Sequence, residues 1–338
     1  MRNLSDEQKQ NLLDSLTSSP SFLGKLRKSR NNEFYEETID KADLKAYESE
    51  GYQFKPSRLK KKIIVHKKKD HFELFENKCW CLLYDLGFRN LNKNQQFILP
   101  YGTSESEKQQ IDVIAINDNV VILMECKSSE ELTPKDHRPY IDTLEKKING
   151  FSQSIRELLG KKIRVKFIFA TNNQKLGNTN IEILNSSSIF HLNNNTFDYL
   201  NNLVKTYKNS AHFQFMAILL KGQIINDEKI RIPAIKGKMG GHTYYMFSIE
   251  PEILIKISFV LHRVKANNDD NPNYQRLLDN KRIKSLSKFI NEGGYFPNSI
   301  ILNFDTKGLK RIQKLEWEDA IKEDNSIAQN GILKIPNS

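Results

Sequence analysis

The five residues 120–124, Val-Val-Ile-Leu-Met, are apolar at every position and run without a break into Glu125 and Lys127. A continuous apolar run of this length fits a strand covered on both faces, which demands a layer of structure on each side of a central sheet. Residues 111–116 form a second strand-like run just upstream. Asn117, Asp118 and Asn119 lie between the two and tolerate positive φ, so the pair reads as a tight hairpin. If Asp118-Asn119 is a two-residue loop, Asn117 faces Val120, and stepping outward along both strands sets Asp112 opposite Glu125.

The flanking sequence supplies the layers. Phe72, Phe75, Cys79, Leu82, Leu83 and Leu86 recur at three, four and seven, as one face of a helix does, and Gly87 then ends it. Downstream come a polar loop holding Pro134 and Pro139, a helix over about 141–159, and a buried strand over 163–170. The order helix, hairpin, helix, strand predicts an α/β (α+β) chain. With 338 residues, at ~100–200 per domain, more than one domain is expected. The predicted division is a polar, partly helical basic region at 1–69, a core at 70–205 and a smaller α+β module at 206–338. In the last, residues 230–235 and 242–247 flank the glycine-containing turn 237–241. A helix opens at Glu250-Pro251-Glu252, 266–273 is a loop, and 274–291 is a basic helix.

Lys and Arg total 52 against 41 Asp and Glu, a net charge of +11. Such a surface attracts phosphate polyanions, and nucleic acid is the leading partner; the rival reading is charge for solubility alone. The run Lys55, Arg58, Lys60, Lys61, Lys62, Lys67, Lys68 and Lys69 fits a DNA-backbone contact or a solvated linker. No apolar stretch approaches the ~20 residues that span a bilayer, and no secretory signal opens the chain, so a cytoplasmic protein is expected. Cys79, Cys81 and Cys126 are too few for a disulfide framework and lack a second Cys/His pair for zinc. They read as buried thiols.

The candidate chemistry lies in Asp112, Glu125 and Lys127. The bare pattern acid-x-Lys also begins at Glu7, Asp43, Glu76, Glu145, Asp227, Asp279 and Asp305, so position rather than pattern singles this one out. Glu125 and Lys127 share a strand face by the two-residue period. Directly opposed residues have Cβ atoms ~4.5–5.5 Å apart, where two carboxylates repel unless a cation or proton intervenes. A divalent metal resolves that conflict: Mg²⁺ takes one or two carboxylates plus water and phosphate oxygens. Lys127 would orient or activate water, or neutralise charge on a phosphate. The competing view makes Asp112 a strand-edge cap and Glu125 half of a surface ion pair. Glu76 borders the apolar stripe of its helix, facing either the same site or solvent.

These residues together resemble the PD-(D/E)xK nuclease superfamily over about residues 69–172, which implies its restriction-endonuclease-like core, a mixed central sheet flanked by helices. Phe75-Glu76 with Leu82-Leu83 and Leu86-Gly87-Phe88 is similar to its first helix, Ile111-Asp112-Val113 to its metal-ligand strand, and Glu125-Cys126-Lys127 to its E-x-K. The resemblance implies a Mg²⁺ (or Mn²⁺) site made by Asp112, Glu125 and the Cys126 carbonyl. It makes Lys127 catalytic and Glu76 an accessory acid. The proline that names the motif is missing before Asp112, as in many Mrr-type members, and Gln153 stands where those members carry an extra glutamine or is an exposed helix residue.

The last third resembles the DGQHR-domain proteins, related to the ParB-like fold and found with DNA-modification and phage-defence systems. Ile232-Pro233-Ala234, Tyr274-Gln275-Arg276-Leu277-Leu278, Lys281-Arg282-Ile283 and Tyr295-Phe296-Pro297-Asn298-Ser299-Ile300 carry that likeness. The naming pentapeptide is missing after residues 331–338, so the module is expected to be truncated or split. Arg276 and Arg282 are candidate phosphate contacts, or simply solvated helix residues. The implied function is a Mg²⁺-dependent DNA endonuclease of a modification or defence system. Its partners would be DNA and either a second copy or a defence protein. The alternatives are a non-catalytic DNA-binding regulator and a fragment without function.

Overall fold

The structure is a computed structural model that describes residues 4–56, 61–94, 97–117, 119–220, 229–258, 280–296, 298–303, 315–319 and 328–336. The chain divides into two units, Met1–Asn201 and Asn202–Ser338. The first begins with α1 (Asp6–Asp14), β1 (Leu16–Thr17), α2 (Pro20–Arg30), β2 (Phe34–Asp40), α3 (Leu44–Ser49), β3 (Gln53–Lys55), β4 (Lys62–Lys68) and α4 (His71–Asp85). It continues through β5 (Asn90–Asn92), β6 (Ile98–Pro100), β7 (Lys108–Gln110), β8 (Val113–Asn117), β9 (Val120–Lys135), α5 (Arg138–Leu159), β10 (Arg164–Leu176), α6 (Asn178–Ser186) and β11 (Ile189–Leu192). α7 (Asn194–Tyr207) crosses into the second unit, which holds α8 (Ala211–Leu219), β12 (Lys229–Met239), β13 (His242–Met246), α9 (Pro251–Ile257), α10 (Asn280–Asn291), β14 (Glu316–Asp319) and β15 (Ala328–Pro336).

The first unit is built on a mixed sheet in the order β1-β5-β8-β9-β10-β11. β8 and β9 are antiparallel, while β9, β10 and β11 are parallel. The expected hairpin register is the observed one: Asn117 pairs with Val120, Ala115 with Ile122 and Val113 with Met124. Ile114 and Ile116 of β8 share a buried cluster with Val121 and Leu123 of β9, Phe167 and Phe169 of β10, and Ile141, Leu144, Phe151 and Ile155 of α5. α4 covers the other face, where Phe75, Cys79, Leu82 and Leu83 are buried. Phe72, expected on that stripe, is instead 53% exposed and packs on the His71 ring in the first turn. All three cysteines are buried and free.

Residues 1–69 do not form a separate body. β1 is an edge strand of the six-stranded sheet, Leu4, Leu12 and Leu16 join its core, and Arg27 of α2 forks onto Asp85 of α4 at 2.6 and 2.8 Å. Much of the basic run is strand: β4 lies between β2 and β3. Lys55 pairs with Glu36, and Lys69 is buried with its ammonium on the Ser29 carbonyl. Arg58 and Lys60 fall outside the described residues.

The expected loop around Pro134 is instead the far end of β9, paired with β10 through Thr133–Gln174, Pro134–Lys175 and Lys135–Leu176. β8 ends its pairing with β9 at Met124, so this stretch has an open edge on which a missing N–H costs nothing. Pro139 stands in the first turn of α5, where proline is tolerated.

In the second unit β13-β12-β15-β14 form an antiparallel sheet. Its hairpin turns on Gly240 and Gly241, whose φ values of 56° and 81° are what a two-residue turn requires. Ile232-Pro233-Ala234 lies in β12 against Leu333, Ile332 and Gly331 of β15. Arg282 is exposed on α10, and residues 274–278, with Arg276, fall outside the described residues. Among the described residues no helix is long and apolar enough to cross a membrane.

Gly150, inside α5, lies where a Cβ would overlap the Tyr101 carbonyl, and Ser154 one turn on donates to the Pro100 carbonyl at 2.8 Å. Small residues at this spacing let the end of β6 close on the helix. Helix propensity alone would make Gly150→Ala stabilising by ~1 kcal/mol. The expected outcome is the reverse, a loss of about 1–3 kcal/mol in urea denaturation, because backbone blocks the new methyl.

Candidate functional site

The residues ahead of Asp112 and Glu125 on this face are core residues: Ile116 and Ile114 run down β8, Val121 and Leu123 up β9. The next position on that face of β9 is Glu125, and Asp112 lies in the bend just ahead of β8. The ladder's last pair is Val113 with Met124; one step beyond, the Asp112 side chain replaces a backbone acceptor, its Oδ2 accepting from the Cys126 N–H at 2.8 Å. Asn92, wholly buried on β5, holds the backbone here. Its Nδ2 donates to the Asp112 carbonyl at 3.1 Å and its Oδ1 accepts from the Ile114 N–H at 3.2 Å.

Glu125 is 3% exposed. Its Oε2 accepts from the Tyr140 hydroxyl at 2.6 Å and lies 3.7 Å from Lys127 Nζ. Its Oε1 accepts from Gln109 Nε2 at 3.1 Å. The Lys127 ammonium also stands 4.9 Å from the centre of the Tyr140 ring, a cation–π contact that fixes it above the carboxylate. Phe169, the β10 neighbour of Glu125, packs on Tyr140 and His137 and closes the floor with apolar surface.

Burial first, and then the Asp112 charge, push Glu125 up to about 7. Burial likewise raises Asp112, offset in part by the Cys126 N–H and Lys127. Burial and the Glu125 charge raise the Tyr140 phenol far above its ordinary value, so it remains a donor. Two acids thus share a buried corner, with one partly exposed ammonium beside Glu125.

The structure brings Asp112, Glu125 and Lys127 together, and Glu76 approaches the Cys126 side of the same strand. Glu76 belongs to α4, which covers the face of β9 that carries the Cys126 thiol; burial and Cys79 push that thiol up, and the Asp112 and Glu76 charges add to it. With its N–H spent on Asp112 and its thiol turned away, Cys126 offers a carbonyl alone. Gln153 lies far along α5 and donates to Glu157 at 2.8 Å. Tyr140 and Gln109 were not singled out from sequence. The signal for Tyr140 was available, since it starts the stripe continued by Ile141, Leu144, Phe151 and Ile155. Gln109, on a three-residue strand in a polar stretch, had none.

Among the described residues no group of three or more His, Cys, Asp or Glu side chains is arranged to hold a metal. The donor set is two carboxylates and a backbone oxygen, all hard oxygen ligands suited to Mg²⁺ or Mn²⁺. A cation also meets the unbalanced negative charge that raises Glu125, so these residues fit the expected ion.

No family model and no curated protein matches this chain. A solved structure, that of protein VC1899 from Vibrio cholerae, aligns over 62% of this chain and 58% of that one at 12% identity, with a TM-score of 0.28. That likeness is too slight to carry an argument about fold or function.

A carboxyl raised in the folded state destabilises the fold as it ionises, so its stabilising effect is full below ~4.3 and is lost as pH rises through about 7. Cation-free protein should therefore lose stability across that window, with Glu125 contributing on the order of 3 kcal/mol. Glu125→Ala should flatten the decline. Urea titrations in chelator at pH 5 and pH 8 measure it; parallel profiles for the two proteins would refute the assigned burial.

Proposed function

We propose that the first unit is a divalent-cation-dependent DNA endonuclease of the PD-(D/E)xK type, hydrolysing phosphodiester bonds. One observation carries this reading: two acids converge at the end of adjoining antiparallel strands, with the Lys127 amine 3.7 Å from one of them. Buried like charges with raised pKa values and a lysine beside them are costly to the fold and characteristic of reactive sites. The net charge of +11 supports a polyanionic substrate.

Asp112, Glu125 and the Cys126 carbonyl would hold Mg²⁺ or Mn²⁺. Bound there, the ion supplies Lewis acidity toward a phosphate oxygen and toward water. The chain's own residues do the rest. Among the described residues no hydrogen bond reaches Asp112 Oδ1, which leaves that oxygen open. Tyr140 and Gln109 each occupy one lone pair of a Glu125 oxygen and leave another. Lys127, propped on the Tyr140 ring, presents its N–H groups to a phosphate oxygen or to the attacking water. On the resemblance of the last third, the second unit would recognise a DNA feature or a partner protein of a modification or defence system.

The test is nicking of supercoiled plasmid by the full chain. Cleavage is expected with Mg²⁺ or Mn²⁺ and absent in chelator. Asp112→Ala, Glu125→Ala and Lys127→Met should each lower it by roughly 100-fold or more, with circular dichroism unchanged. Wild-type cleavage by Glu125→Ala and Lys127→Met would reject the site. Salt-sensitive DNA binding without cleavage under any divalent ion would instead favour a regulator.

A further inference from the structure

Gln109 is the adjustable member of the cage around Glu125, because an amide presents a donor at one end and an acceptor at the other. Its Nε2 donates to Glu125 Oε1 at 3.1 Å, and its Oε1 accepts from Lys147 Nζ at 2.9 Å. An ammonium has donors and no acceptor, so the end facing Lys147 must be the carbonyl and the end facing Glu125 the NH₂. Turning the amide over would set oxygen against carboxylate and NH₂ against ammonium, two repulsive contacts in place of two attractive ones.

Lys147 is itself held, with its Nζ 4.6 Å from the centre of the Tyr101 ring. It lies on α5 seven residues beyond Tyr140, a spacing that returns to the same helix face. One face of one helix therefore supplies the donor to Glu125 Oε2 and the residue that orients the donor to Oε1. Gly150 and Ser154, on the same helix, let the end of β6 close on α5, and β6 carries its partner β7 and Gln109 with it.

We propose that Lys147 is a positioning residue: acting through Gln109, it fixes the Glu125 carboxylate in the orientation that receives a divalent cation. This rests on reading Asp112 and Glu125 as the cation site of a nuclease. The rival role, a tie between the β6–β7 hairpin and the helix, would change stability without changing cation affinity.

The experiment uses the full chain with Lys147→Met, Lys147→Arg, Gln109→Leu and the Lys147→Met/Gln109→Leu double variant. Two readouts are taken: the Mn²⁺ dissociation constant by calorimetry, and the Gln109 side-chain amide signals by NMR in cation-free protein, identified by their loss in Gln109→Leu. Lys147→Met should weaken Mn²⁺ binding about 10-fold and move the Gln109 amide signals toward those of a free glutamine. Lys147→Arg should restore both. The double variant should bind no more weakly than Gln109→Leu alone, since Lys147 acts only through Gln109. Unmoved amide signals in Lys147→Met, or additive losses of affinity, would overturn the proposal. The amide readout needs no metal. If Lys147→Met moves those signals while the wild type shows no Glu125-dependent Mn²⁺ binding and no cleavage, the nuclease reading falls and the Lys147–Gln109–Glu125 link stands.

Discussion

Two carboxylates held at close quarters out of water are the constraint on which the rest of this site depends. Glu125 occupies the position where the apolar face of β9 would otherwise continue, Asp112 stands in the bend just ahead of β8, and Phe169 and Tyr140 keep that corner dry. The Asp112 charge raises the cost of ionising Glu125. The neighbouring groups are donors: the Cys126 N–H, the Gln109 amide, the Tyr140 hydroxyl and the Lys127 ammonium. Only Lys127 carries a full opposite charge, and it stands at ion-pair rather than close hydrogen-bond distance. A fold selected for stability alone gains little from such a pair, since apolar side chains in the same places are often as good or better.

The scaffold holds Glu125, Lys127, Tyr140 and Gln109 on regular elements and Asp112 immediately beside one, which limits how far each can stray. β9 and the bend leading into β8 present the acids, α5 supplies Tyr140, and the β6–β7 hairpin brings Gln109. On the far face α4 covers β9 and buries Cys79 against Cys126. The N-terminal segment completes the layer through Arg27–Asp85 and through Arg30, whose guanidinium donates to Asn77 and lies over the Trp80 ring. That polar network explains why residues 1–69 belong to the same body despite a composition that reads as a separate basic region.

The hairpin and its register were legible because the information is local. An unbroken apolar run, a run before it and a polar turn between them leave one pairing that keeps the core side chains on one face. The spacing of Glu125 and Lys127 was equally local. Glu76 was harder to place: its neighbour Phe75 marks it as bordering the buried stripe, yet which face of the sheet that stripe covers depends on where α4 docks. Pro134 looked like a loop residue because the open edge that makes it harmless exists only once β9 and β10 have paired past the end of β8.

Sequence by itself determined the order helix, hairpin, helix, strand, the hairpin register and the meeting of Asp112, Glu125 and Lys127. Each follows from side-chain periodicity over a few residues, and periodicity is a property of the chain. Only the packing of distant segments brings Tyr140 and Gln109 onto Glu125, sets Lys147 behind Gln109, and dries the acids enough to raise them. Those are matters of which distant segments touch, and desolvation depends on everything packed nearby, so no short window of residues contains them.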